Sequence, residues 1–312
     1  MRRKLEQLHN PSAHDAIAVA WPHLAHDDRF VRYAARIAVE HQPLDQWIDR
    51  VCGESHPRRA IEALLAAVRH WPHTDRQSAA RIYAKIQRLP FAELTTSELL
   101  DALRVIGLAH LRLGDSPGDE LQPLLEKLEP LFPHTDPRIT RELCALLVAF
   151  DSEIVVSRGV AQLAETPDRA HQVALAVALR TARLGWTPRL RRAYLAWFSE
   201  AIAQSEGSAT FQQYLRQARD EMVAMLSEYE HNEYAILLAD RTQTSAHPVG
   251  DQPRVVRRWQ MVDVVPMLGE LAAGRSFERG KIAFEKAQCY ECHRFAGAGS
   301  NRGPDLTGAA AR

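Results

Sequence analysis

Apolar residues recur at spacings of three and four from Ser12 to about Asp240, and alternating β-branched runs are almost absent. The pattern predicts helix after helix and argues against a strand-rich fold. In Asp27-Asp28-Arg29-Phe30-Val31-Arg32-Tyr33-Ala34-Ala35-Arg36-Ile37-Ala38-Val39 the two acidic residues are read as caps. Phe30, Ala34, Ile37 and Ala38 then fall on one stripe. Similar openings recur at His56-Pro57-Arg58-Arg59-Ala60, Asp136-Pro137-Arg138-Ile139-Thr140-Arg141 and Thr187-Pro188-Arg189-Leu190-Arg191. Each sets a cap and a first-turn proline before an amphipathic helix. Breaks at Leu89-Pro90, Gly114-Asp115-Ser116-Pro117-Gly118, Phe132-Pro133 and Gly185-Trp186-Thr187-Pro188 mark the loops between helices.

The cap, proline and arginine openings, each followed by a helix rich in alanine and leucine, resemble HEAT-type repeats, in which antiparallel helix pairs stack into a solenoid. The spacing is irregular, and a non-repeating helical bundle is the alternative. Between Arg241 and Arg254 the composition shifts to Thr, Gln, Ser, Pro and Gly, which reads as a linker. Val255-Val256-Arg257-Arg258-Trp259-Gln260-Met261-Val262-Asp263 reads as a short extended lead-in to a further helix. The organisation expected is a HEAT-like helical repeat region over 1–240, a linker over 241–260 and a separate module over 261–312.

Charge narrows the function. Lysine plus arginine number 39 and aspartate plus glutamate 39, so no bulk charge favours a nucleic-acid or membrane surface. Arg189, Arg191 and Arg192 are read as a solvated helix face. No run is long and apolar enough to span a bilayer. No Ser-His-Asp signature, phosphate-binding glycine loop or dinucleotide fingerprint is present. His23 with His26, and His70 with His73, have helical spacing, but Pro22 and Pro72 interrupt both pairs, so they are read as loop histidines rather than metal ligands. Trp186, Tyr194, Trp197 and Phe198 are read as packing around a helix hairpin. Cys52 and Cys144 stand alone in apolar stretches and are expected to pack as small hydrophobes.

Cys289-Tyr290-Glu291-Cys292-His293 is different. A C-x-x-C-H run is the attachment pattern of a c-type haem, because two thiols three positions apart can reach the two vinyl groups of one porphyrin while the adjacent imidazole lies under the iron. His293 is the expected axial ligand, and its other ring nitrogen needs an acceptor that fixes the ring. A zinc site would want four ligands, and a thioredoxin-like pair a βαβ setting; neither pattern is present.

Cys289 to Gly308, with Gly303-Pro304-Asp305-Leu306-Thr307-Gly308 after the motif, resembles class I cytochromes c. By that resemblance the Pro304 carbonyl accepts from the axial histidine, Leu306 packs on the haem face, and Arg312 falls where the family has an arginine near a haem propionate. Gly280 and Phe284, on Phe277 to Ala287, match the glycine and aromatic of the family's first helix. The family's distal methionine and last helix have no counterpart after the motif, since the last methionine is Met267. This is read as a fragment of a longer gene product, with a five-coordinate haem, or a bis-histidine one using His247 or a partner's histidine, as the alternative. Nearly the whole chain resembles the carboxyl-terminal region of planctomycete and verrucomicrobial HEAT-repeat haem-binding proteins, specifically over Cys289 to Gly308 and in general character over the repeats; members of that family often carry a dehydrogenase-like β-propeller upstream.

The expected fold class is all-α: a HEAT-like α-solenoid followed by an incomplete class I cytochrome c domain. The expected function is electron transfer through one covalent haem c per chain, held by Cys289, Cys292 and His293, with no intrinsic catalysis. The expected partner is a redox protein or dehydrogenase domain, with a further protein partner on the solenoid surface. The alternatives are a protein-interaction scaffold with a structural or vestigial haem, and a haem enzyme with an open sixth position. Covalent haem attachment implies a periplasmic or other extracytoplasmic location. Met1-Arg2-Arg3-Lys4-Leu5-Glu6 lacks a signal peptide's apolar core, which is read as an internal start.

Overall fold

Helix starts fall where the first-turn prolines stand. The computed structural model describes residues 1–70, 76–113, 121–205, 209–239, 259–272, 274, 276–299, 303, 306, 307 and 309. It is mostly helical, with one two-stranded ribbon among the described residues. The helices up to the first unit boundary are α1 (Arg2–Glu6), α2 (Ala16–Ala20), α3 (Arg29–Glu40), α4 (Ile48–Gly53), α5 (Pro57–His70) and α6 (Arg76–Gln87). They continue with α7 (Thr96–Leu113), α8 (Leu121–Leu128), α9 (Pro137–Ala149), α10 (Ile154–Glu165) and α11 (Arg169–Leu179). Two compact units are present, Met1–Arg191 and Arg192–Arg312, with α12 (Pro188–Ala203) running through the boundary.

Helices α5, α9 and α12 begin at Pro57, Pro137 and Pro188, as the sequence predicts. Asp136 accepts from the Arg138 N–H at 2.8 Å, and Thr187 Oγ1 accepts from the Leu190 N–H at 3.3 Å. In the Asp27-Asp28 pair only Asp28 caps through its side chain, accepting from the Phe30 N–H at 2.7 Å. Asp27 instead offers its backbone carbonyl to Arg32 Nη1 at 2.8 Å.

In Met1–Arg191 alternate helices pack on one another. α3 packs on α5, α5 on α7, α7 on α9 and α9 on α11. α4 packs on α6 and α6 on α8 in a second row, and α5, α7 and α9 touch members of both rows. Helix α5 shows the cause: Ala60, Ile61, Ala63, Leu64, Ala66, Ala67 and Val68 are all buried, so apolar residues cover most of its circumference. A helix apolar on most sides must be enclosed by neighbours, and alanine lets them come close. Trp21, Trp47, Tyr83 and Phe132 are fully enclosed. Leu179 reaches so near Gly159 that a Cβ there would stand 3.0 Å from the leucine Cδ1, which fixes how α10 and α11 meet.

Helix α3 departs from the predicted stripe. Val31, Ala34, Ala35, Ala38 and Val39 are buried, while Phe30 is 53% exposed. The helix packs against α1, α2, the 3-10 turn Trp21–Ala25 and α5. Its buried arc is therefore wide and centred on the alanines, and Phe30 in the first turn lies at the edge, where the Arg29 guanidinium sits 4.7 Å from its ring centroid. Tyr194 and Trp197 on α12 each meet Phe198 edge-on, with centroids 5.1 and 5.0 Å apart, while Trp186 Nε1 donates to the Ala182 carbonyl at 2.8 Å.

The second unit continues with α13 (Ala209–Val223), α14 (Glu228–Glu233), α15 (Ala235–Leu238), α16 (Met261–Val264) and α17 (Phe277–Lys286). Ser227 and Glu230 form a capping box that starts α14. The expected extended lead-in is helical over Met261–Val264, because Gln260 and Asp263 cap that turn reciprocally; 255–258 lie outside the described residues.

Leu143, fully buried on α9, should cost about 2–5 kcal/mol when replaced by alanine, read from urea unfolding monitored by circular dichroism. The Asp136 carboxyl is held down from 3.8 to about 2, chiefly by its hydrogen bonds to the Arg138 side chain and then to that residue's backbone N–H. Its pKa is lowered in the fold, so its contribution is present above the unfolded value and lost as pH falls through about 2. Stability measured from pH 5 downward should therefore fall less steeply in Asp136→Asn than in the parent, the two curves converging in strong acid.

Candidate functional site

The C-terminal motif is built on one helix end and one return loop. Ser276 caps α17, its Oγ accepting from the Arg279 N–H at 3.3 Å. The helix ends at Ala287, and Gln288 adopts the left-handed conformation, φ 58°, which turns the chain out of the helix. A single 3-10 turn, Cys289–Glu291, follows. The Cys289 carbonyl accepts from the Cys292 N–H at 3.2 Å and from the His293 N–H at 2.8 Å. Both thiols and the imidazole therefore hang from one hydrogen-bonded turn. Cys289 is half-buried, Cys292 is exposed, and neither is in a disulfide.

Beyond His293, strands β1 (Arg294–Phe295) and β2 (Ala298–Gly299) pair antiparallel, Arg294 opposite Gly299 and Phe295 opposite Ala298. Ala296 and Gly297, the two loop residues, have φ 50° and 83°, the signs a tight right-twisting hairpin demands. Gly299, φ 95°, lies where any Cβ would collide with the His293 carbonyl and the Tyr290 ring.

The loop then returns to the motif. The Gly303 N–H donates to the Cys292 carbonyl at 2.5 Å, the Leu306 N–H to the Arg294 carbonyl at 2.8 Å, and the Ala296 N–H to Thr307 Oγ1 at 3.0 Å. A Cβ on Gly303 would stand 2.9 Å from His293 Nδ1 and Cε1 and 3.0 Å from the Cys292 carbonyl oxygen. Gly303, directly before Pro304 in the sequence, thus lies beside the Nδ1 edge of the imidazole. Leu306 is half-buried. Pro304 and Arg312 lie outside the described residues, as do His73 and His247.

Phe284 meets the Tyr290 ring edge-on, centroids 4.9 Å apart, and the Phe295 ring at 5.9 Å; Phe277 stands 6.0 Å from Phe295. Gly280, one turn before Phe284, has nothing within 4 Å of where its Cβ would be. No described residue between Trp259 and Ala309 is buried. Phe284, Tyr290 and Phe295 are only half-covered, an arrangement that a large apolar group against the motif would complete.

Residues 277–312 match the Cytochrome c family model. That match covers the motif, the hairpin and the return loop, and it supports a c-type haem-binding module in this segment. Comparison with curated proteins and with solved structures returns no match. Among the described residues no three His, Cys, Asp or Glu side chains gather as a metal site.

The remaining candidates lie elsewhere. His23 and His26 have ring centroids 6.2 Å apart, and His26 Nδ1 accepts from the Asp28 N–H at 3.0 Å, ahead of α3. His70 packs against the Trp47 ring at 6.1 Å. Cys52 is half-buried on α4, and Cys144 is fully buried on α9, where burial pushes its thiol up to about 12. The sequence reading missed Gln288 and Gly299 as determinants of the motif's shape; the glycine spacing after His293 was the signal for the second.

The contrast among thiols is testable. In the haem-free protein a maleimide should label Cys289 and Cys292 under native conditions, while Cys144 should react only after unfolding, read by peptide mass spectrometry. Labelling of Cys144 in the native state would contradict the fold around α9.

Proposed function

We propose that the C-terminal segment, 261–312, is an electron-transfer module that holds one haem c covalently, on a helical arm formed by 1–240. The observation that carries it is the single turn presenting Cys289, Cys292 and His293 together, with the Gly303 loop laid along the imidazole's Nδ1 edge. When bound, haem c supplies a one-electron ferrous–ferric couple.

The chain's own residues have separable tasks. Cys289 and Cys292 are the thioether tethers, and both are accessible enough to add to a vinyl group. His293 is the axial ligand. Its backbone N–H is tied to the Cys289 carbonyl, and Gly303 lies beside the Nδ1 edge of its ring. Pro304, next in that loop, is the acceptor the resemblance to class I cytochromes c assigns, which would fix the ring and raise its basicity. Leu306 and the ring cluster of Phe284, Tyr290 and Phe295 supply apolar cover, and Arg312 is the propionate partner by the same resemblance.

The cross-packed rows of α3 to α11 support a HEAT-like solenoid for the arm, since each helix pair contacts chiefly its neighbours. No helix among the described residues is long and apolar enough to cross a membrane. Cytochrome c domains act outside the cytoplasm, and we place this chain in the periplasm or another extracytoplasmic space. Its electrons would come from a dehydrogenase domain or partner protein.

Expression with a haem-maturation system tests the reading directly. The expected product carries haem that survives acid and organic extraction and gives a pyridine haemochrome spectrum, with a mass gain of one haem. Cys289→Ala and Cys292→Ala should each leave one thioether, and His293→Ala should shift the Soret band by removing the axial imidazole. Gly303→Ala, whose Cβ would press on the imidazole, should lower haem occupancy or axial coordination with the helical arm's circular dichroism unchanged. Absence of covalent haem in the parent under these conditions sinks the proposal.

A further inference from the structure

The contact between α9 and α11 encloses the one buried histidine among the described residues. His171, on α11, is 4% exposed. Its Nδ1 accepts from Arg141 Nε, on α9, at 3.1 Å, and Arg141 Nη2 stands 3.6 Å from Asp168 Oδ2. Asp168 in turn caps α11, accepting from the Ala170 N–H at 2.9 Å and from the His171 N–H at 3.3 Å. One guanidinium from α9 therefore bridges the α11 cap and the imidazole in its first turn.

This geometry fixes the protonation state of the ring. An arginine Nε–H can only donate, so Nδ1 must be bare and the ring neutral, its single proton on Nε2. Protonation would place an N–H on Nδ1, aimed at the Arg141 Nε–H. The hydrogen bond would become a contact between two cations with no acceptor between them, inside a packed helix interface.

The other charged groups of the elements packed here are engaged elsewhere. On α9, Arg138 pairs with Asp136 at 2.7 Å and Glu142 with Arg104 at 3.1 Å. On α10, Glu165 accepts from Gln162 Nε2 at 2.9 Å, and on α11 itself Arg169 Nη1 donates to Gln172 at 3.0 Å. Burial and then Arg141 hold the His171 pKa below its ordinary 6.5, against the opposing pull of Asp168. The fold thus favours the neutral ring. Its contribution is whole above 6.5 and is lost as pH falls below that value and through the lowered one.

We infer that Arg141 and His171 form an acid-released latch between α9 and α11, closed while Nδ1 accepts from Nε and opened when Nδ1 takes a proton. α11 is the last helix lying wholly within Met1–Arg191, so release loosens the end of that unit, while α3, α5 and α7, which bury no histidine, stay packed. The latch is independent of the haem motif.

Hydrogen exchange of the full chain between about pH 7.5 and 5, read by mass spectrometry as protection factors corrected for the intrinsic pH dependence of exchange, tests this. Peptides covering α11 should lose protection at least about threefold more than peptides covering α5. In His171→Asn, whose Oδ1 can accept from Arg141 Nε without titrating, the loss specific to α11 should vanish. Arg141→Met should shrink it, because burial of the ring remains. Ring 15N shifts of the parent need no variant: Nδ1 of His171 should be bare above neutral pH, and the ring should titrate below 6.5. Equal loss in α5 and α11, a loss specific to α11 that persists in His171→Asn with native circular dichroism, or a proton on His171 Nδ1 above neutral pH would each overturn the inference.

Discussion

The helical unit depends on the near-complete burial of α5. A helix with Ala60, Ala63, Ala66 and Ala67 among its buried residues has no bulky ridge to hold neighbours off, and it has too little polar face to lie at a surface. α3 and α7 must therefore close on it from within one row, and α4 and α6 from the other. The same rule carries outward to α9 and α11. Burial supplies the energy of that arrangement, and charge supplies its register. Arg32 pairs with Glu62 across α3 and α5, Arg58 with Asp101 across α5 and α7, Arg104 with Glu142 across α7 and α9, and Arg141 with the α11 cap Asp168. The two outer pairs, Arg104–Glu142 and Arg141–Asp168, are exposed and contribute little individually, but each of the four is satisfied in one alignment of its two helices. Glu62 is the enclosed member, and burial raises its pKa against the opposing pull of Arg36 and Arg32. Its ion pairs thus do not fully offset the loss of water, which is why they are better read as specifying alignment than as stabilising the fold.

The C-terminal segment obeys a different constraint. It has no enclosed core among its described residues, and its shape comes from backbone geometry at a few positions. Gln288 and Ala296 accept positive φ, and Gly297 and Gly299 adopt it without steric cost. Gly299 and Gly303 are the points where two chain segments approach too closely for any side chain. The Gly303 N–H bond to the Cys292 carbonyl ties the loop residue to the motif's turn, while Phe284, Tyr290 and Phe295 remain half-covered.

Much of this was legible in the sequence. Proline-led helix starts at Pro57, Pro137 and Pro188 follow from ring geometry alone, and the structure places them there. The haem motif is equally local, since its chemistry needs only a fixed spacing. Phe30 was less legible, because periodicity reports a helix face but not how many neighbours share it. α3 is packed on by four elements, which moves the buried arc onto the alanines. Met261–Val264 was misread for a related reason: valines favour strands on average, and a capping pair at Gln260 and Asp263 is enough to outweigh that preference over one turn.

The four cysteines show how one residue type is divided between inert and reactive use by position. Cys144 sits on α9 with no exposed surface, and desolvation keeps its thiol protonated. Cys289 and Cys292 lie on a turn at the outer edge of a segment without a closed core. Addition of a thiol to a vinyl group needs access for a bulky, planar partner from one side, which a packed helix face cannot offer and a turn can. The backbone hydrogen bond from the His293 N–H to the Cys289 carbonyl holds His293 on that same turn.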